Sequence, residues 1–159
     1  EKYYVYLDRE LTPILKEMDR PIVLAGVTEN IADWRQVADD PIYAKKDVDR
    51  PVSQLSEEEY AEEADRIFQG LEADMIVEKL DLLDQRMAHS KASLDRSAVE
   101  YALKEGRVEA LLIKDGYPSD DSVELNRLAH DTMNTGGSVV IVPADEDRMS
   151  TQVAAIYRY

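Results

Sequence analysis

The sequence predicts a mixed α/β chain, and three observations carry that prediction. Apolar residues recur at spacings of three and four along several stretches, as on one face of a helix. Between those stretches stand short, continuous aliphatic runs bounded by Gly or Pro, the pattern of buried strands. A helix-start signal at Ser56 then opens a long run of helical periodicity. Helices alternating with buried strands point to a layered α/β arrangement.

Each element follows in order. Leu7, Leu11, Ile14, Leu15 and Met18 share one helical face, with Pro13 expected to kink or restart that helix. Pro21-Ile22-Val23-Leu24-Ala25 is a continuous apolar run ending at Gly26, read as a buried strand of a parallel or mixed sheet. Asn30 is the expected N-cap of a short helix bearing Ile31, Trp34 and Val37. Asp39-Asp40-Pro41 ends it, and Ile42-Tyr43-Ala44 is a second candidate strand. Ser56 and Glu59 form a capping box, with Leu55 and Tyr60 placed to staple it and Glu57, Glu58 and Glu59 suited to the positive end of the helix dipole. The stripe Tyr60, Ala64, Ile67, Phe68, Leu71 and its resumption at Met75, Ile76, Leu80, Leu83 and Met87 predict a helix roughly 45–50 Å long, with Gly70 as its one weak point.

Beyond His89-Ser90-Lys91 the pattern lapses, which places a boundary there. Asp95 is the expected cap of a helix carrying Val99, Ala102 and Leu103, closed by Gly106 in a left-handed conformation. Val108 to Ile113 reads as a strand and Gly116 to Asp120 as a loop. A helix with Leu125, Leu128, Ala129, Thr132 and Met133 on one face then runs to Gly136-Gly137. Ser138 to Val142 and Val153 to Tyr157 are the last strands, separated by Pro143. The expected organisation is residues 1–55 as a partial domain, 56–90 as a connecting helix and 91–159 as a C-terminal α/β domain. The expected core is Val23, Leu24, Leu103, Val108, Leu111, Ile113, Leu128, Val140, Val142, Ala155 and Ile156.

Composition narrows the functional classes. Over 159 residues, 34 Asp+Glu stand against 19 Lys+Arg, a formal net charge of −15. That balance argues against tight binding to a nucleic-acid backbone, which needs clustered cations. An apolar share of 44% argues against disorder. No apolar run approaches the ~20 residues of a bilayer-crossing helix. The chain has no Cys, hence no disulfide, thiol nucleophile or thiolate metal site, and a reducing cytoplasm is the expected compartment. The opening Glu1-Lys2-Tyr3-Tyr4 lacks the features of a signal peptide and an initiator Met, so a partial chain is expected.

Three separated runs carry a family resemblance: ALKEGRVEALLI at 102–113, TGGSVVIVP at 135–143 and STQVAAIYRY at 150–159. They resemble the C-terminal domain of archaeal and eukaryotic class-1 release factors and of Pelota. Gly106, Val108-Glu109, Gly136-Gly137 and Arg158-Tyr159 fall in the family's order. Upstream, PIVLAG at 21–26, Trp34-Arg35-Gln36-Val37, Ile42-Tyr43 and LSEEEY resemble the bacterial archaeo-eukaryotic-release-factor-like proteins. The resemblance implies a partial RNase H-like α/β domain, a long connecting helix, and a small α/β sandwich resembling the kink-turn-binding ribosomal-protein fold. Two family features are missing. The Gly-Gly-Gln loop of true release factors has no counterpart in this sequence, and its place would lie upstream of Glu1. The Gly-Asn-Glu helix start of kink-turn binders is replaced by Ser93-Leu94-Asp95-Arg96-Ser97, so kink-turn RNA binding is not implied.

No residue is assigned a catalytic, cofactor-binding or metal-ligating role. Gly136-Gly137 precede a strand rather than a helix, which suits a C-cap and not a phosphate cradle. Gly26 lacks the further glycines of a dinucleotide fingerprint. His89 and His130 are not spaced as a zinc pair. Asp39-Asp40, Asp115 with Asp120-Asp121, and Asp145-Glu146-Asp147 lack the register of a calcium loop. The acids from Glu57 to Asp65 read as a solvated helix start or as a surface for a basic partner. Tyr3, Tyr4 and Tyr6 either cover a sheet or form a contact patch. The expected function is a non-enzymatic protein-interaction module, with the ribosome or a translational GTPase as the partner the resemblance implies. The alternatives are a metal-dependent phosphoryl hydrolase whose acids lie largely upstream, tested by EDTA-sensitive RNA cleavage, and a homo-oligomerising structural module, tested by light scattering.

Overall fold

The structure is a computed structural model describing residues 2–18, 20–38, 40–116 and 122–159. It is mixed α/β and divides into two compact units, Glu1–Glu72 and Ala73–Tyr159, the division falling within one long helix. Part of the expected loop at 116–120 and the acids Asp39, Asp120 and Asp121 lie outside the described residues.

In the first unit, helix α1 (Lys2–Glu17) continues through Pro13 rather than restarting there. Contacts on both sides of the proline hold it: the Thr12 hydroxyl bonds the Tyr43 hydroxyl at 2.9 Å, and Lys16 pairs with Asp40. None of its residues is buried, so the predicted apolar stripe forms but remains largely uncovered. The strand expected over 21–26 is fragmentary. Only β1 (Ala25–Gly26) is regular, paired in parallel with β2 (Val48–Asp49), while Ile22 makes an isolated bridge to Tyr43. With a pairing partner on one side only, Val23 and Leu24 are half-buried, which corrects their place in the expected core. Helix α2 (Thr28–Arg35) starts three residues earlier than predicted. Val27 is the N-cap and makes no side-chain bond, and Asn30 lies inside the first turn.

The predicted capping box forms at the start of α3 (Glu57–Met87). The Ser56 amide donates to Glu59 Oε2 at 2.8 Å, and the Glu59 amide donates to Ser56 Oγ at 3.3 Å. The helix runs unbroken past Gly70.

The second unit carries a four-stranded sheet in the order β3-β6-β4-β5. Its strands are β3 (Ala92–Ser93), β4 (Val108–Lys114), β5 (Ser138–Val142) and β6 (Val153–Tyr157). β4 and β5 run parallel, with Ala110 opposite Ser138, and β6 is antiparallel to both β3 and β4. Residues of both sheet faces are buried. One face packs Ala110, Leu112, Val140 and Val142 with Leu80 and Leu83 from α3. The other packs Leu111, Ile113 and Ala155 with α4 (Arg96–Lys104) and α5 (Ser122–Asn134) through Val99, Leu103 and Leu128. A register shift between Val108 and Ala110 places Val108 in the helix-covered cluster instead of the one its parity dictates. Met133, predicted to share the apolar face of α5, is 57% exposed.

Helices α4 and α5 end alike. After α4, the Gly106 amide donates to Leu103 O and Arg107 to Ala102 O, both at 2.9 Å, with Gly106 at φ +66°. After α5, Gly136 donates to Met133 O and Gly137 to Thr132 O, again at 2.9 Å, with Gly136 at φ +73°. Both are Schellman motifs, and each delivers the chain directly into a strand.

Candidate interaction surfaces

The acids at the start of α3 remain at the surface. Glu57, Glu58, Glu59, Glu62 and Asp65 are exposed, whereas Glu63 is half-buried between Arg50 at 3.8 Å and Arg66 at 3.7 Å. Glu59 is occupied by its capping bond. Glu62 reaches Arg66 at 4.0 Å, and Glu57, Glu58 and Asp65 present negative charge to solvent, a surface that attracts cations over a range set by salt.

The tyrosines of α1 separate into two roles. Tyr4 stands edge-on to Trp34 with ring centroids 6.1 Å apart, and Trp34 stands edge-on to Tyr43 at 5.9 Å. These three rings form the aromatic centre of the first unit. Tyr3 and Tyr6 are 67% and 55% exposed, Tyr3 keeping a tilted ring contact with Tyr4 at 5.8 Å and Tyr6 lying under the Arg9 guanidinium at 5.5 Å, and Leu11, Ile14 and Met18 of the same helix are also uncovered. A cleft of about 230 Å³ lies between Tyr4, Leu24, Asn30, Ile31 and Trp34, lined mostly by apolar groups.

The remaining groups singled out in the sequence are not brought together. His89 is exposed, and exposed His130 faces Asn134, with His130 Nδ1 and Asn134 Nδ2 3.0 Å apart. The Lys16 ammonium, and after it the Ile42 amide, hold the Asp40 carboxyl below the ordinary aspartate range. The Arg148 amide and guanidinium do the same for Glu146. Both acids are thus engaged by fixed donors. Among the described residues, no three His, Cys, Asp or Glu side chains stand close enough to hold a metal ion. Gly136-Gly137 is a helix C-cap, as its position before a strand predicted.

Sequence reasoning missed one surface, the outer side of β5. Among the described residues this strand pairs with β4 alone, and Ile141 is 53% exposed. The aliphatic run 138–142 was legible, but its place at the edge depends on strand order.

No curated protein sequence matches the chain. Residues 1–70 match the family model of bacterial archaeo-eukaryotic release factor family 6. Archaeal Pelota, in a ribosome-bound model with ABCE1, superposes with a TM-score of 0.73 at 20% identity, over 99% of this chain and 49% of that one. Dom34 of S. cerevisiae, a translation termination-like factor, gives 0.63 at 12% identity over 97% and 53%. Pelota of Archaeoglobus fulgidus gives 0.55 at 21% identity over 96% and 53%. The chain spans about half the length of these structures.

The mixed α/β fold is therefore one shared with Pelota. The match to family 6 is confined to the first 70 residues. No described helix is long and apolar enough to cross a membrane.

Proposed function

We propose that this chain is a non-enzymatic protein-interaction module of a release-factor-like protein, with the ribosome or a translational GTPase as its partner in the cytoplasm. The observation that carries the reading is the joint match: a release-factor family model over residues 1–70, and the Pelota fold over nearly the whole chain. The solved relatives are described as ribosome-bound in one case and as interacting with Hbs1 in another, which is the source of the proposed partners. The exposed acids of α3 supply a surface that a basic ribosomal or factor segment would meet.

Kink-turn RNA is not part of this reading. At the place where kink-turn binders carry their recognition residues, Asp95 accepts a bond from the Ala98 amide at 2.8 Å and caps α4. Co-sedimentation with ribosomes at low and near-physiological salt tests the proposal. Retention at the higher salt supports it, and failure to pellet at either salt overturns the translation partner while leaving the fold untouched.

A further inference from the structure

Among the described residues, β5 forms one outer edge of the sheet. The Val142 carbonyl accepts from the Asp115 amide at 2.8 Å, so Val142 faces β4. Strand alternation then turns the backbone groups of Ser138 and Val140 toward β4 as well, and those of Val139 and Ile141 outward. Natural edge strands are commonly kept short, charged or covered. The opposite edge, β3, obeys this with two residues. β5 does not: Ser138-Val139-Val140-Ile141-Val142 is uncharged, five residues long, and half of the Ile141 side chain meets solvent.

Just past the strand lie Asp145 and Asp147, both exposed, while Glu146 between them is engaged by Arg148 at 3.1 Å. An open row of donors and acceptors, apolar along its length and acidic at its end, specifies an occupant. A second copy of the chain would set −15 against −15. A cationic strand would be drawn in.

We propose that the outer edge of β5 receives an extended segment of a partner protein, apolar at alternate positions and flanked by Lys or Arg, as an added strand of the sheet. Main-chain bonds to Val139 and Ile141 supply its hold, the Ile141 side chain meets an apolar residue of the added strand, and Asp145 and Asp147 meet a flanking cation. The inference deepens the interaction-module reading by naming the chemistry of a partner segment, and it fails separately from that reading. Ribosome pelleting without peptide capture removes this edge and leaves the module, whereas peptide capture without pelleting does the reverse.

The test uses the whole chain and a labelled octapeptide, Lys-Thr-Val-Thr-Ile-Thr-Val-Lys, followed by fluorescence anisotropy at low salt and by amide hydrogen exchange. The expected result is saturable binding that slows exchange at Val139 and Ile141, and weaker binding of the same peptide with Glu in place of Lys. Ile141→Pro removes an outward donor without touching the ladder to β4 and weakens binding about fivefold. Asp145→Asn with Asp147→Asn weakens it and flattens its salt dependence. As a check free of any folding defect, N-methylation of alternate peptide amides abolishes binding to the unaltered chain. Absence of saturable binding, protection confined to other segments, or an N-methylated peptide that binds as well overturns the proposal. So does a dimer of the free chain that Ile141→Pro dissolves, because a second copy would then hold the edge.

Discussion

Replacing Gly137 by Ala tests the hand-over from α5 to β5. A Cβ at this position would stand 2.7 Å from Thr132 Cγ2, 2.9 Å from the Val108 carbonyl oxygen and 3.1 Å from the Thr132 carbonyl oxygen. Thr132 cannot swing aside cheaply, since it is fully buried and its hydroxyl donates to Leu128 O at 2.8 Å. The Val108 carbonyl is also fixed, accepting from Arg158 Nε at 3.1 Å. Relief requires β5 to move away from β4. Overpacking of this kind costs about 1–3 kcal/mol, and losing one associated hydrogen bond adds about 1 kcal/mol, for a total of about 2–4 kcal/mol. Gly106→Ala is the natural comparison. Nothing lies within 4 Å of its added Cβ, so only the left-handed backbone at φ +66° is penalised, by roughly 1–2 kcal/mol. Because the chain has two compact units and its single Trp lies in the first, amide exchange at Leu112 and Val140 is a better reporter than fluorescence. Exchange there accelerates by about 30- to 1000-fold in Gly137→Ala, and adding Thr132→Ser restores only part, since the carbonyl contacts persist. Unchanged exchange, or complete rescue by Thr132→Ser, would refute the argument that backbone crowding requires this glycine.

Three further outcomes are expected. Leu111→Asp buries an unpaired carboxylate at a fully buried strand position, costs about 4 kcal/mol or more, and abolishes the cooperative melting of the second unit; a wild-type melting curve would contradict the placement of β4. Asp95→Ala loses the bond to the Ala98 amide and about 1 kcal/mol in urea unfolding, while Asp95→Asn retains most of that stability. Asp40 is an acid whose folded value is depressed, so its stabilising contribution is complete above the unfolded value near 3.8 and is lost as pH falls through the lower folded value. An NMR titration should place its midpoint below 3.8, and Lys16→Met should raise it. A midpoint indifferent to Lys16→Met would remove the assigned cause.

Local signals proved most legible where a few adjacent residues set the geometry. Ser56 with Glu59, Asp95 with Ala98, and Gly106 all do in the structure what their spacing implied, because a cap is satisfied within one turn of chain. The same holds for the apolar runs and helix stripes: nine of the eleven expected core residues are buried, and both exceptions, Val23 and Leu24, lie in the fragmentary strand of the first unit. Gly136-Gly137 and Val108-Glu109 likewise stand at helix-to-strand junctions, where a left-handed glycine turns the chain within two residues.

What the sequence alone determined, then, is the α/β class, the long capped helix, the two glycine-closed helices and the aliphatic strands that follow them. Tertiary structure decided that α1 passes through Pro13, since Thr12–Tyr43 and Lys16–Asp40 tie the turns around it to residues far along the chain. It also decided which runs pair, which face Val108 joins, and that β5 rather than β4 stands at an open edge. Capping and periodicity are satisfied within a few residues of chain, whereas strand order is set by contacts between segments far apart in sequence, whose partners no local pattern names.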